Sequence, residues 1–169
     1  MTGRSCRSNI REVALSDEHT PEGLQLAEAG VQLTQAGDFL AAAEKFIAAV
    51  QINERDWASW HHLGLCLLKL QQPEEAVVAL RNSTSLAPKF VQSWNNLGTA
   101  LAMLNDWVGA ASAFEAGIEA DPNYAKNHFG RGNVYLMAGE SDEARACFQR
   151  ALALDPDYHL ARQALAQLA

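Results

Sequence analysis

His62 and Cys66 are the residues whose types and spacing come nearest to a metal site. They stand four residues apart, which on a helix places two side chains on one face. A zinc site needs three or four protein ligands, and no second His or Cys pair follows in the sequence. We therefore expect no metal ion, and interpret the pair as lying near the flank of a helix.

Two pairs of adjacent carboxylates could in principle serve general acid–base chemistry. Glu74 and Glu75 form one pair, and Asp142 and Glu143 form the other. Each pair stands where a helix is expected to begin, and acidic side chains there stabilise the positive end of the helix dipole. The sequence also lacks a glycine-rich phosphate loop and a G-x-S-x-G motif. We predict no catalytic residue and no cofactor, and therefore no enzyme.

Composition narrows the class of protein further. The chain has 169 residues, 49% of them hydrophobic, and a formal net charge of −7. An acidic chain does not attract nucleic-acid phosphates, so we expect no nucleic-acid partner. The sequence contains no run of 18 apolar residues, so we predict no membrane span. Three widely spaced cysteines, Cys6, Cys66 and Cys147, predict free thiols in a reducing compartment, which we take to be the cytoplasm.

The sequence repeats every 34 residues, so the elements must be sought in repeating units. Four columns keep this spacing: Gly30, Gly64, Gly98 and Gly132; Ala42, Ala76, Ala110 and Ala144; Phe46, Leu80, Phe114 and Phe148; and Pro88, Pro122 and Pro156. The units are 23–56, 57–90, 91–124 and 125–158. Residues 1–22 and 159–169 lie outside them.

Each unit is predicted to form two helices. Unit positions 4, 7, 8 and 11 make one apolar stripe at 100° per residue. Glycine within a helix costs about 0.8–1 kcal/mol against alanine, so its recurrence at position 8 predicts a close approach of the two helices. We expect the large residue at position 24 to fill the space between them. Gly37 and Gly139 suit helix C-termini, and Asp38, Asp106 and Ser141 suit N-caps.

The repeated residues follow the pattern W-x2-L-G-x2-Y, then A-x3-F, then P. Unit 3 matches it almost throughout, with Trp94, Leu97, Gly98, Leu101, Ala110, Phe114 and Pro122. The chain thus resembles a tetratricopeptide repeat protein over 23–158, although unit 4 departs with His128 and Arg131. The resemblance implies an all-α fold, an α-solenoid of four helix-turn-helix repeats.

The two flanking segments have separate interpretations. We expect 1–22 to be a flexible leader, or alternatively a remnant of an organellar transit peptide. We expect 159–169 to be a C-terminal capping helix, since a terminal repeat needs its exposed core covered. The alternative for this helix is a docking or dimerising surface.

The resemblance also implies a concave groove that binds peptides, formed by positions 2, 5, 9, 12 and 13 of the first helices. None of the twenty residues at these positions is acidic, which favours a ligand with apolar anchors and little positive charge. We expect Leu68, Leu136 and Met137 to pack between helices, and Trp60 and Trp94 to belong to the core. The candidate groove residues are His61, Leu65, Lys69, Gln92, Asn95, Thr99, Met103, Lys126, Phe129 and Asn133.

The function that follows is a non-catalytic protein–protein interaction module, acting as an adaptor, scaffold or assembly factor. We expect a monomer or weak self-association. Some family members bind chaperone C-termini through a two-carboxylate clamp of five residues, but in the better register only Asn96 and Lys126 match, and Gly130 stands where an arginine is needed. A dedicated chaperone of one client and a self-assembling scaffold remain alternatives.

Overall fold

The computed structural model describes residues 21–168, and these form nine α-helices and no strand. The helices are α1 Pro21–Ala36, α2 Phe39–Ile52, α3 Trp57–Lys69, α4 Pro73–Leu86, α5 Val91–Met103, α6 Trp107–Ala120, α7 Ala125–Ala138, α8 Ser141–Leu154 and α9 His159–Gln167. Each helix packs on the next one in sequence, and the first helices α1, α3, α5 and α7 also pack on one another. The predicted all-α helical repeat fold is confirmed.

The glycine column brings the two helices of every unit together, as the sequence predicted. A Cβ built on Gly30 would lie 2.8 Å from the Phe46 ring, and one on Gly64 would lie 2.5 Å from Leu80 Cγ. Gly98 and Gly132 meet Phe114 and Phe148 in the same way. All four large residues are at most 3% exposed. The two helices therefore touch along a contact between a large side chain and the glycine backbone that leaves no room for another side chain.

The turn inside each unit uses one left-handed residue at position 15. Gly37 and Gly139 have φ of +81° there, as expected for helix ends. Gln71 and Asn105 take the same conformation in units 2 and 3, with φ of +59° and +60°. Sequence reasoning missed these two, because neither is a glycine.

Two of the three predicted N-caps are confirmed. Asp38 Oδ1 accepts from the Ala41 amide at 3.1 Å, and Asp106 Oδ1 accepts from the Gly109 amide at 2.9 Å. Ser141 is not a cap: it is the first residue of α8, and the cap position belongs to Glu140 without a side-chain hydrogen bond. The helix begins one residue earlier than the hydroxyl suggested.

The side chain at position 4 hydrogen-bonds to a backbone carbonyl of the loop that joins its unit to the preceding one. The Trp60 indole donates to the carbonyl oxygen of Glu54 at 2.9 Å, and the Trp94 indole donates to that of Pro88 at 2.8 Å. His128 Nε2 lies 2.9 Å from the carbonyl of Pro122, and it must carry the proton because a carbonyl only accepts. His128 therefore replaces tryptophan with its hydrogen bond intact. The two tryptophans are half-buried beside the core.

The buried core falls into two clusters. One runs through α2 to α6, from Ala42 to Phe114, and the other joins Ala144, Phe148 and Ala151 of α8 to Ala161 of α9. The change occurs at α7, whose polar residues His128 and Arg131 replace the Trp and Leu of units 2 and 3. The fourth unit is thus joined to the third by a less apolar contact.

The two flanks of the repeats are placed as follows. Residues 1–20 lie outside the described residues, and α1 begins at Pro21, inside the range predicted as leader. Helix α9 lies on α8, with Ala161 fully buried and Arg145 Nη2 donating to the carbonyl of Leu168 at 2.5 Å. No helix between residues 21 and 168 has the length and hydropathy that a membrane span requires.

Candidate functional site

The candidate groove residues lie on three neighbouring first helices. Helix α3 carries His61, Leu65 and Lys69; α5 carries Gln92, Asn95, Thr99 and Met103; α7 carries Lys126, Phe129 and Asn133. Their spacing of three or four residues turns them to one face of each helix. Because α3, α5 and α7 pack side by side, these faces form one continuous surface.

Five of the ten residues surround one cavity between α5 and α7. The cavity has a volume of about 250 Å³. It is lined by the predicted Asn95, Thr99, Lys126, Phe129 and Asn133, and also by Ala102, Trp107, Phe114, Gly130, Val134 and Tyr158. We call it the α5–α7 cavity. Chemically, it combines an aromatic interior with amides, a hydroxyl and one ammonium group.

Aromatic rings form the walls of the α5–α7 cavity. The Phe129 ring packs on Phe148 with centroids 5.4 Å apart and on Tyr158 with centroids 5.1 Å apart. Phe129 is therefore a fixed wall held by two other rings, rather than a free side chain. Phe114 forms part of the lining beside Gly130, although it is only 3% exposed.

Two of the polar side chains that line this cavity make no internal hydrogen bond. Among residues 21–168, no hydrogen bond is made by the side-chain amides of Asn95 and Asn133, while Thr99 Oγ1 donates to the carbonyl of Asn95 at 2.9 Å. Burial, with Tyr124 and Asp155 nearby, raises the pKa of Tyr158, so its phenol is neutral at pH 7. None of the carboxylates in the part of the chain that the structure describes lines this cavity.

His61 departs from the predicted groove surface. Its side chain is only 8% exposed, its Nδ1 lies 2.9 Å from Ser93 Oγ, and its ring meets Phe90 edge-on at 4.9 Å. Burial, and to a lesser degree His62, lowers the pKa of His61 to about 4. The structure therefore places His61 between helices as a neutral residue, out of a ligand's reach.

The other four predicted residues do not line the α5–α7 cavity. Lys69 and Gln92 are exposed, Met103 is 39% exposed and Leu65 is half-buried. Sequence reasoning missed Gly130, Trp107 and Tyr158, among others. Gly130 carried a usable signal, because position 6 holds larger side chains in the other units.

Three further residues on this face were expected to pack between helices. Leu68 is half-buried against the core of units 1 to 3, and Leu136 against that of unit 4. Met137, by contrast, is 61% exposed. It lines a shallow hollow between α6 and α7 together with Trp107 and Val108. The packing prediction is thus confirmed for the two leucines and wrong for Met137.

The predicted absence of acids holds only at one end of the groove. A cavity of about 410 Å³ lies between α1 and α3, and we call it the α1–α3 cavity. Glu28 and Asp56 help to line it beside Leu24, Val31 and His62. Neither acid occupies a unit position counted as groove, since Glu28 is at position 6 and Asp56 is at position 34. The first repeats therefore present negative charge that the helical-wheel argument did not anticipate.

His62 and Cys66 make separate contacts rather than a shared site. The His62 ring stacks on Phe46 with centroids 5.3 Å apart, and Cys66 Sγ lies 3.5 Å from Thr34 Oγ1. Burial raises the pKa of the Cys66 thiol, and the hydrogen bond with Thr34 opposes this. Within the described part of the chain, no three His, Cys, Asp or Glu side chains are grouped as a metal site would need.

Comparison with known proteins identifies the architecture. Family models described as tetratricopeptide repeat match residues 28–82, 67–125 and 125–158, and a search of curated proteins returned no match. Among solved structures, a MamA protein has a TM-score of 0.79 at 20% identity, covering 87% of this chain and 80% of its own.

Two other solved structures are similar at higher identity. YrrB, described as a TPR protein with an unusual peptide-binding site, has a TM-score of 0.77 at 25% identity, covering 84% of this chain and 73% of its own. TTC0263, a thermophilic TPR protein of Thermus thermophilus, has a TM-score of 0.72 at 29% identity, covering 86% of this chain and 80% of its own.

Proposed function

We propose, from the premise that this chain belongs to the tetratricopeptide repeat family, that it binds an extended protein segment in its concave groove and acts as an adaptor or assembly factor. The repeat fold supports a protein–protein interaction module in general, and such proteins are generally non-catalytic. A non-catalytic role also agrees with the absence of nucleophile and phosphate-loop motifs from the sequence.

The observation that carries the proposal is the clustering of Asn95, Thr99, Lys126 and Asn133 around the aromatic α5–α7 cavity. An asparagine amide can both donate to and accept from an extended backbone. Binding sites commonly combine an apolar cavity with a few convergent polar groups. YrrB, whose structure is described as having a peptide-binding site, offers a related precedent.

Other aspects of the proposal rest on chemistry rather than on the cavity. We place the protein in the cytoplasm because Cys66 and Cys147 are unpaired thiols. We expect a monomer or weak self-association, with α9 covering the last repeat. Near the α5–α7 cavity the partner should carry apolar anchors and little positive charge.

Site-specific photo-crosslinking tests this function. A benzoylphenylalanine in place of Met103, which is 39% exposed on the groove face, should capture a discrete partner in a lysate of the source cells. The same group in place of Glu115, which is exposed on the second helix α6, is the matched control and should capture nothing comparable. Equal capture from both positions would contradict binding in the groove.

The captured partner then allows a quantitative test. The double variant Asn95→Ala, Asn133→Ala should weaken its binding about tenfold or more, the loss expected when central contacts are truncated. The double variant Asn82→Ala, Asn123→Ala removes two exposed amides outside the cavity and should leave binding unchanged. A single captured client that becomes insoluble without this protein would instead favour a dedicated chaperone.

A further inference from the structure

We propose that the α5–α7 cavity is an anchor site for one aromatic side chain of the bound segment, with an Asp or Glu of that segment paired to Lys126. The inference rests on the proposed function and names the chemistry of its ligand. It commits to an acidic side chain within an extended segment, not to a chain terminus. Four features support it: a missing side chain, the size of the cavity, its walls and its charge.

Gly130 is what opens this cavity. Position 6 carries His62 in unit 2, and the His62 ring stacks on Phe46 at 5.3 Å, covering that core aromatic. In unit 4 the same position is Gly130, and a Cβ built there would collide with the Phe114 ring. Phe114 consequently contributes to the cavity floor. Because position 130 has no side chain, the Phe114 ring lies directly against α7 and forms part of the cavity lining.

The size of the cavity selects a single side chain. Pockets for cofactors and drug-sized ligands measure roughly 300–1,000 Å³, whereas this cavity holds about 250 Å³. Along α7 it extends from Lys126 to Val134, eight residues or about 12 Å of helix. A site of this length fits one large side chain with the backbone on either side of it.

The walls favour an aromatic occupant. Four aromatic residues line the cavity, namely Trp107, Phe114, Phe129 and Tyr158. Aromatic rings that meet edge-to-face or offset attract one another more strongly than the area they bury accounts for. An aliphatic side chain of the same size would lack this gain. Ring-on-ring packing is already the local pattern, since Phe129 packs on Tyr158 with planes inclined by 53°.

The charge of the site favours a carboxylate next to the aromatic residue. Lys126 is exposed at the cavity's edge, and no ion pair among residues 21–168 involves it. Among residues 21–168 no acidic side chain lines this cavity, and the phenol of its lining residue Tyr158 is neutral at pH 7. The cavity thus offers one unneutralised cation, in contrast to the α1–α3 cavity with Glu28 and Asp56. A lysine attracts a carboxylate mainly as a point charge, so the pairing should be sensitive to salt.

A displayed library of random dodecapeptides provides the probe. The peptides are fused by their C-termini, so they carry no free terminal carboxylate, and are selected on the full chain. We expect the selected sequences to share an aromatic residue close to an Asp or Glu. As synthetic C-terminal amides, they should lose affinity about tenfold or more when the aromatic residue becomes alanine.

Two variants of the protein locate the binding. Thr99→Phe places a ring in the exposed side of the cavity, and Lys126→Glu reverses its charge; each should weaken the selected peptides about tenfold or more. Gln149→Phe and Lys45→Glu introduce the same side chains at exposed positions of the second helices α8 and α2, outside the groove, and should alter affinity by no more than about twofold. Lys126→Glu should also restore binding of a peptide whose acidic residue is replaced by lysine.

Each remaining outcome overturns a defined part of the proposal. If peptides bind but Thr99→Phe and Lys126→Glu behave like their controls, the anchor site is wrong and the groove function stands. If the selected peptides lack aromatic or acidic residues, the ligand chemistry is wrong. If no peptide is selected at all, the anchor site fails, while photo-crosslinking still judges the groove function separately.

Discussion

The Nδ1 atom of His61 carries a hydrogen and donates a hydrogen bond to the hydroxyl oxygen of Ser93. This direction follows from counting hydrogens. Ser83 Oγ donates to the carbonyl of Trp57 at 3.0 Å, which uses its one proton. Ser93 must then donate to Ser83 across 2.8 Å, and His61 must donate to Ser93 across 2.9 Å. The hydrogen-bonded chain joins α3, α4 and α5 through buried groups.

Acid should destabilise the protein through His61. Its pKa is about 4 in the folded protein and about 6.5 when unfolded, so its contribution is complete above pH 6.5 and is lost as the pH falls towards 4. At pH 4 the loss is about 3 kcal/mol. Urea unfolding at pH 7 and pH 4 measures it. His61→Asn, which retains a donor to Ser93, should show a drop smaller by this amount; equal drops would contradict the assignment.

Ser93 carries the middle hydroxyl of the hydrogen-bonded series from His61 to Ser83. Removing this hydroxyl should lower the free energy of unfolding by more than the loss of one ordinary hydrogen bond would. Ser93→Ala leaves the buried His61 N–H without an acceptor, so we expect a loss of about 1–3 kcal/mol in the free energy of unfolding. Ser112→Ala is the control, because Ser112 is exposed and donates only within its own helix; it should change stability by less than about 0.5 kcal/mol. Similar losses for both would refute a buried chain.

The contact between Gly64 and Leu80 should give strong non-additivity. A Cβ at position 64 would lie 2.5 Å from Leu80 Cγ, so Gly64→Ala should cost about 1–3 kcal/mol through overpacking. In a Leu80→Ala background the clash is gone, and the same change should be neutral or stabilise by up to about 1 kcal/mol through helix propensity. Thermal and urea unfolding of the four proteins complete the cycle, and additive effects would exclude the contact.

A buried amide at the junction of units 3 and 4 offers a route to a more stable protein. Asn127 is fully buried, lies against Gly117, and has no side-chain partner in the described part of the chain. Position by position, Gly117 and Asn127 correspond to the hydrogen-bonded Ser83 and Ser93. The pair Gly117→Ser, Asn127→Ser should therefore recreate that bond and stabilise by about 1 kcal/mol.

The single variants test this correspondence. Gly117→Ser alone should destabilise the protein, because its side chain would meet the Asn127 amide. Asn127→Ser alone removes the unsatisfied amide and should be nearly neutral. Chemical unfolding of all four proteins gives the coupling. Stabilisation by Gly117→Ser alone would show that the amide does not occupy that space.

Much of the fold could be predicted because the repeat is local. A glycine at position 8, a large residue at position 24 and a 34-residue period specify a helix pair and its copies, whose contacts are mainly between neighbours. The left-handed turns at Gln71 and Asn105 escaped prediction, since tertiary packing can hold non-glycine residues there. Five of ten candidate groove residues line one cavity, because helical periodicity alone turns them to the same face.

The sequence by itself determined the helix pairs, the family and the face that the first helices share. Only the tertiary structure decided which residues on that face a ligand can reach. Periodicity assigns an angle around a helix, whereas depth depends on the neighbouring helix. His61 lies under Phe90 and Ser93, and Gly130 leaves Phe114 within the cavity floor. Side chains at the N-terminal end of α5 therefore cover His61, whereas the missing side chain at Gly130 leaves Phe114 in the lining of the α5–α7 cavity.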